Sequence, residues 1–320
     1  MNFLHCLSCI LPFISYLKKS NMKILYHFFA WISMIKLFFQ IKIFQKRFRT
    51  IEKSGKKFRP VIKNDKVLIV IVHMVPDAEI ALEDKLFRLL ACLESLEKSM
   101  ALINHEIIIL TKEKFTLHRK LPQYLIDKVE ILFSSQLDPM YVEFDAYNIF
   151  ESAKDEFDYF IFLEDDILLS DSWFLEKIKK FNALSPYKHF LLQPHRFEYF
   201  KGVKHYLDQT TVRIDKQTIF NYADYLKVDL FDNVSLCVYQ NPHSGFYCLS
   251  KEQLYIWIKS GNKWKNQVVA FGILESAATF CLYENFQFLS PHPNSLGYFE
   301  VQHYGNKYIL NDKIVDQEIE

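Results

Sequence analysis

The sequence predicts an α/β protein with a mostly parallel sheet flanked by helices, and three observations predict it. Short, continuous, β-branched runs recur at 66–74, 105–111 and 128–134, as strands buried on both faces do. A leucine-rich stretch with helical spacing separates the first two. A fourth run, "FDYFIFLEDD" (157–166), ends in consecutive acids. Strands alternating with helices are the pattern of parallel sheets.

"KVLIVIVHM" (66–74) is the first expected strand. Residues 82–99 follow as a helix, with Leu82, Leu86, Leu89, Leu90, Leu93 and Leu96 at helical spacing. "HEIIILT" (105–111) and "KVEILFS" (128–134) are the next two strands, 143–155 a helix, and 157–166 the fourth strand. The second half is less regular. Residues 189–200 read as a strand and its exit, and 235–250 as apolar runs broken by Asn241-Pro242 and Ser244-Gly245. A helix at 251–260 ends at Gly261, another covers 271–284, and 285–310 reads as an aromatic, loop-like stretch. Trp257 and Trp264 read as core.

Half of the 320 residues are apolar and 24% are charged, enough for a substantial core. Seven glycines and ten prolines exclude a fibrous or disordered chain. The net charge of +1 conceals an asymmetry. Residues 1–60 carry twelve Lys/Arg against Glu52 alone, which leaves the remaining 260 residues at −10. The acidic body excludes general nucleic-acid binding. The basic head also holds two apolar runs, 2–17 and 24–45, the second interrupted by Lys36 and Lys42. Residues 1–60 therefore read as a membrane-anchoring segment that lies at a surface, with a single-pass span as the alternative. Residues 61–310 read as one folded domain and 311–320 as a tail. The expected location is the cytoplasmic face of a membrane; a type II protein with a lumenal domain is the alternative. Six scattered cysteines make neither a disulfide framework nor a zinc site, because Cys6 and Cys9 have no second pair.

In parallel sheets ligands bind beyond the carboxyl ends of the strands. That nominates His73 to Asp77, Thr111 to Lys114, and Glu164 to Asp166. No Gly-rich phosphate-binding fingerprint is present. Glu164-Asp165-Asp166 is the strongest signal. Three acids inside a strand would bury charge at large cost, whereas at its end they make a hard-oxygen site for Mn²⁺ or Mg²⁺. Without a cation they would repel a diphosphate.

The segment "FIFLEDDILLS" (160–170) resembles the DxD-type motif of GT-A glycosyltransferases, in the Glu-Asp-Asp form of some N-acetylglucosaminyltransferases. The resemblance implies the Rossmann-like GT-A fold and a metal-dependent transfer of sugar from a nucleotide donor, UDP-linked by preference, with 61–310 as the transferase domain. It places Asp165 near the ribose, makes Asp166 the principal metal ligand, and puts His73, Pro76 and Asp77 near the base and ribose. "NSLGYFEVQHYG" (294–305) is similar to the ending of several such enzymes and implies His303 as a further metal ligand, with His292 as its rival. "VVAFGILESAATFCLY" (268–283) is similar to the helix start carrying the catalytic base of inverting members and implies Glu275. "NPHSGF" (241–246) resembles the turn lining the donor sugar, through Gly245. Thr111 joins the expected nucleotide-sugar site by its place after the second strand. His195 and Arg196 are weaker nominations for phosphate or acceptor. The expected partners are a nucleotide-sugar donor, a glycan or lipid-linked acceptor, and a membrane surface. A nucleotidyltransferase and a non-catalytic glycan-binding protein remain as alternatives.

Overall fold

The computed structural model describes residues 64–75, 82–185, 187–207, 228–229, 234–238, 243–261, 272–282 and 285–310, with isolated helical residues between 36 and 50. Pro76, Asp77, Asn241, Pro242, Trp264, Cys6, Cys9, the tail from 311 and most of the anchor lie outside the described residues. Among the described residues no helix is long and apolar enough to cross a membrane.

The main sheet is built from β1 (Lys66–Val72), β2 (Asn104–Thr111), β3 (Val129–Phe133), β4 (Tyr159–Glu164) and β11 (Phe246–Ser250). Their order across the sheet is β11-β4-β1-β2-β3. β1 runs parallel to β2 and β4, β2 runs parallel to β3, and β11 closes the edge antiparallel to β4. The expectation of a mostly parallel sheet is met here. α1 (Leu82–Ser99) spans the residues its leucines predicted. α2 (Gln123–Ile126), α3 (Asp145–Ser152), α4 (Phe174–Leu184), α5 (Lys251–Lys259) and α6 (Ile273–Ala278) complete the helices described here.

Alternate residues of β1 face opposite cores, which is why its sequence is apolar throughout. Val67, Ile69 and Ile71 pack with Leu89, Leu93 and Leu96 of α1 and Phe174 and Phe181 of α4. Leu68, Val70 and Val72 pack with Phe150 of α3, Leu254 and Trp257 of α5, and Ala278 of α6. Helices thus cover both faces.

Two smaller sheets extend the main one. The first contains β6 (Phe190–Leu192), β9 (Val228–Asp229), β10 (Ser235–Cys237) and β12 (Gln287–Pro291), in the order β6-β12-β10-β9. The second contains β5 (Ile167–Leu168), β7 (His195–Phe200), β8 (Val203–Tyr206) and β13 (Glu300–His303), in the order β5-β13-β7-β8. The loop-like reading of 285–310 is therefore corrected. β12 and β13 are strands, paired in parallel with β6 and β7. Short strands whose partners are remote in sequence leave no local period to read. The helix expected at 271–284 is also shorter, ending at Ala278 before a 3-10 turn at Phe280–Leu282.

Trp257 is core as expected, at 2% exposure, with its ring edge-on to Tyr147 at 4.8 Å and to Tyr247 at 6.1 Å. Trp257→Ala is expected to cost about 3–5 kcal/mol, through lost contacts and the cavity left behind. Urea unfolding followed by circular dichroism checks it. Trp257→Phe is expected to cost far less, because the indole N–H has no acceptor among the described residues.

Candidate active site

The strand order reverses between β1 and β4, and ligand crevices open at such switch points. Val72 pairs with Glu164 in register, so the residues after β1 meet the acids that end β4. Glu164 is the last residue of β4, Asp165 and Asp166 form the turn, and β5 starts at Ile167.

Asp165 is buried and held from inside. His73 Nδ1 lies 2.6 Å from its Oδ2, and Lys85 Nζ 3.5 Å from its Oδ1. The Leu117 N–H donates to His73 Nε2 at 3.2 Å. That nitrogen must keep its lone pair, so the proton sits on Nδ1 and points at Asp165. His73 is 0% exposed with both ring nitrogens engaged. Its imidazole thus faces Asp165 and the Leu117 N–H. Thr111, at the carboxyl end of β2, is buried, and its hydroxyl has no partner among the described residues.

Asp166, in the same turn, is half-buried. Its Oδ2 lies 3.5 Å from Arg88 Nη1 and 3.5 Å from His303 Nε2, while its Oδ1 is buried with no partner among the described residues. Burial opposes its charge, but His303, Lys85 and Arg88 outweigh burial and hold the carboxyl below its usual range. β13 carries His303 to this point by pairing its last residue with Ile167. The other imidazole nitrogen, Nδ1, lies 2.9 Å from Glu198 Oε1 on β7. Glu198 also accepts from the N–H groups of Tyr308 and Ile309 at 3.3 and 3.1 Å. His292 instead caps the 3-10 turn after it by accepting from the Asn294 N–H. Of the two histidines, His303 is the one beside the acid.

Glu164 is half-buried with Oε1 unpartnered among the described residues. Burial, then the charge of Asp166, pushes its carboxyl up to about 8, against the pull of Arg196. His243 Nε2 stands 4.0 Å from that oxygen. Burial and Arg196 push the His243 imidazole down to about 3, so it is neutral. Gly245 has φ +61°, and a Cβ there would meet Glu164 Oε2 at 2.7 Å and Ile167 at 2.9 Å. The space beside this glycine is filled by the chain's own acid, which the glycine lets approach. Glu275 lies in the first turn of α6, half-buried, and its charge reaches Glu164. His195 is buried, and its Nε2 lies 2.7 Å from the Pro291 carbonyl. Arg196 is buried, over the ring of Tyr308 at 5.4 Å.

Sequence reasoning misses Lys85, Arg88, Glu143, Glu198 and His243. Lys85 and Arg88 share a helix face and look like solvated charges. Glu143 and Glu198 each stand between aromatic or aliphatic neighbours, the one signal available for them.

Because the folded carboxyl of Glu164 titrates above its unfolded value, its contribution is complete below about pH 4.5 and is lost as pH rises towards 8. Without divalent cation, wild type is expected to lose on the order of 1–3 kcal/mol relative to Glu164→Gln between pH 5 and 8. Thermal melts of both proteins in chelator across that range check it. A parallel pH dependence in the two proteins refutes it.

Among the described residues no three His, Cys, Asp or Glu side chains make a ready metal cage. Asp166 and His303 do fit a cation that takes one or two protein ligands and fills the rest of its shell from phosphates and water. An unpartnered buried carboxylate oxygen and a histidine oriented by a carboxylate are the features such an ion uses.

No family model matches the sequence, and no curated protein matches it. Solved structures are similar over most of the chain. Glucosyl-3-phosphoglycerate synthase from Mycobacterium tuberculosis, in complex with phosphoglyceric acid, is 13% identical, with 78% of this chain and 79% of that chain covered at a TM-score of 0.37. Mannose-1-phosphate geranyltransferase from Thermus thermophilus is 10% identical, with coverage of 71% and 73% and a TM-score of 0.38. A 4-diphosphocytidyl-2C-methyl-D-erythritol synthase from Anaerococcus prevotii is 10% identical, with coverage of 74% and 92% and a TM-score of 0.36.

Proposed function

We propose that this chain is a metal-dependent glycosyltransferase, moving a sugar from a UDP-linked donor to a hydroxyl of a glycan or glycolipid with inversion at the sugar carbon. The observation that carries the reading is Asp166: a carboxylate at the sheet's switch point, with one buried oxygen unpartnered among the described residues and His303 facing the other. Asp166 and His303 would hold Mn²⁺ or Mg²⁺. When bound, the ion neutralises charge on the departing diphosphate. Lys85 and Arg88 keep the acid turn near neutral until the donor arrives. Glu275 takes the proton from the acceptor hydroxyl as that oxygen bonds to the sugar carbon and the carbon–diphosphate bond breaks. The basic segment 1–60 holds the enzyme at an anionic membrane surface, at the cytoplasmic face, which suits a lipid-linked acceptor.

Calorimetry with UDP and Mn²⁺ tests this, followed by a screen of UDP-sugars for nucleotide release. Binding of UDP that disappears with chelator is expected. No binding of UDP in either condition overturns the reading. Release of pyrophosphate from a nucleoside triphosphate, rather than of UDP, moves the protein to the nucleotidyltransferases.

A further inference from the structure

Glu143 has no place in the chemistry above, yet the fold buries it beside the site. It lies in the 3-10 helix Pro139–Phe144 and is 7% exposed, and its Oε2 is buried with no hydrogen-bond partner among the described residues. Buried carboxyl groups are ordinarily satisfied. Asp145, two residues on, shows the usual solution. It accepts from Ser134 Oγ, Gln136 Nε2 and Asn148 Nδ2 at 2.6, 2.7 and 3.2 Å.

The position of Glu143 is informative. Its 3-10 helix packs against α6, which carries Glu275. The charges of Glu164, Asp165 and Asp166 reach it, and so does that of Glu275. Burial first, and these acids next, hold the carboxyl well above its usual range. On the glycosyltransferase reading the donor's diphosphate would sit at Asp166 and its reacting carbon would face an acceptor hydroxyl at Glu275, with the sugar between the two.

We propose that Glu143 recognises the donor's sugar, with its buried carboxyl hydrogen-bonding a ring hydroxyl or an N-acyl group. This rests on the glycosyltransferase reading. A carboxyl group accepts hydrogen bonds through both oxygens and, when protonated, donates one, which matches either substituent. A buried polar group of this kind rejects an analogue that leaves it unpaired. The residue is thus a specificity determinant of the donor subsite, separate from the diphosphate contacts.

The test is calorimetry on wild type and Glu143→Leu with Mn²⁺ present, using UDP alone and then UDP-glucose, UDP-galactose, UDP-N-acetylglucosamine and UDP-N-acetylgalactosamine. Wild type is expected to bind at least one of the four more tightly than UDP. Glu143→Leu is expected to lose about tenfold of that advantage with its affinity for UDP unchanged. Glu143→Ala, which opens space rather than filling it, gives the same loss and replaces leucine if leucine disturbs the melt. A folded variant that keeps the sugar's advantage, or one that loses UDP in equal measure, overturns the inference and leaves the proposed function standing. A wild type that gains nothing from any of the four sugars does the same. A wild type that does not bind UDP overturns the underlying reading itself.

Discussion

Asp166→Asn is expected to remove turnover, by about 10³-fold or more, while the protein stays folded. The amide keeps the size of the side chain but gives up the negative charge that Arg88, Lys85 and His303 converge on. It also replaces a carboxylate oxygen that has no partner among the described residues with a weaker ligand or with a donor. Nucleotide release from the preferred UDP-sugar in Mn²⁺ is the direct measurement, and calorimetry gives the second readout, loss of metal-dependent UDP binding. Asp166 itself favours the folded state above its unfolded pKa, and that contribution is lost as pH falls through the depressed folded value. The variant's stability deficit should therefore shrink in acid. Unaltered turnover in a folded Asp166→Asn removes the site.

Glu275→Gln is expected to lower kcat by about 10²–10⁴-fold and to leave UDP affinity within a factor of about two. The separation follows from position. Glu275 sits on α6, apart in the chain from the acid turn that would hold the diphosphate, and reaches Glu164 through charge. The fold is expected to be untouched, since the side chain is half-buried at a helix start and the amide keeps its size. Steady-state kinetics separate kcat from KM, and the anomeric configuration of the product, read by NMR, checks that displacement is direct. A retained configuration, or a kcat within a factor of about two of wild type, removes Glu275 as the base.

The half of the fold that positions the acids was legible because its signals are local. β1 and β2 are continuous β-branched runs, and α1 carries its leucines at helical spacing. These elements fall within a residue or two of expectation. The second half was not, because β12 and β13 owe their existence to partners about a hundred residues away. The same division runs through the site. Three acids breaking an apolar run announce themselves, since no strand interior tolerates them. Lys85 and Arg88 do not, because a basic residue on a helix looks the same whether it faces water or a carboxylate. His303 entered through resemblance alone. The strand pairing that brings it to Asp166 has no trace in its neighbours along the chain. His73 stands at the expected strand end, but its contacts with Asp165 and the Leu117 N–H leave no trace in the sequence around it.

Glu198 ties the imidazole of His303 to the backbone of Tyr308 and Ile309. A nick between Gly305 and Tyr308 would spare every acid, yet it would cut loose the peptide groups that brace this carboxylate. The ring it steadies would then be free to turn. Loss of the Tyr308 and Ile309 peptide groups is thus expected to loosen His303 while leaving Asp166 untouched.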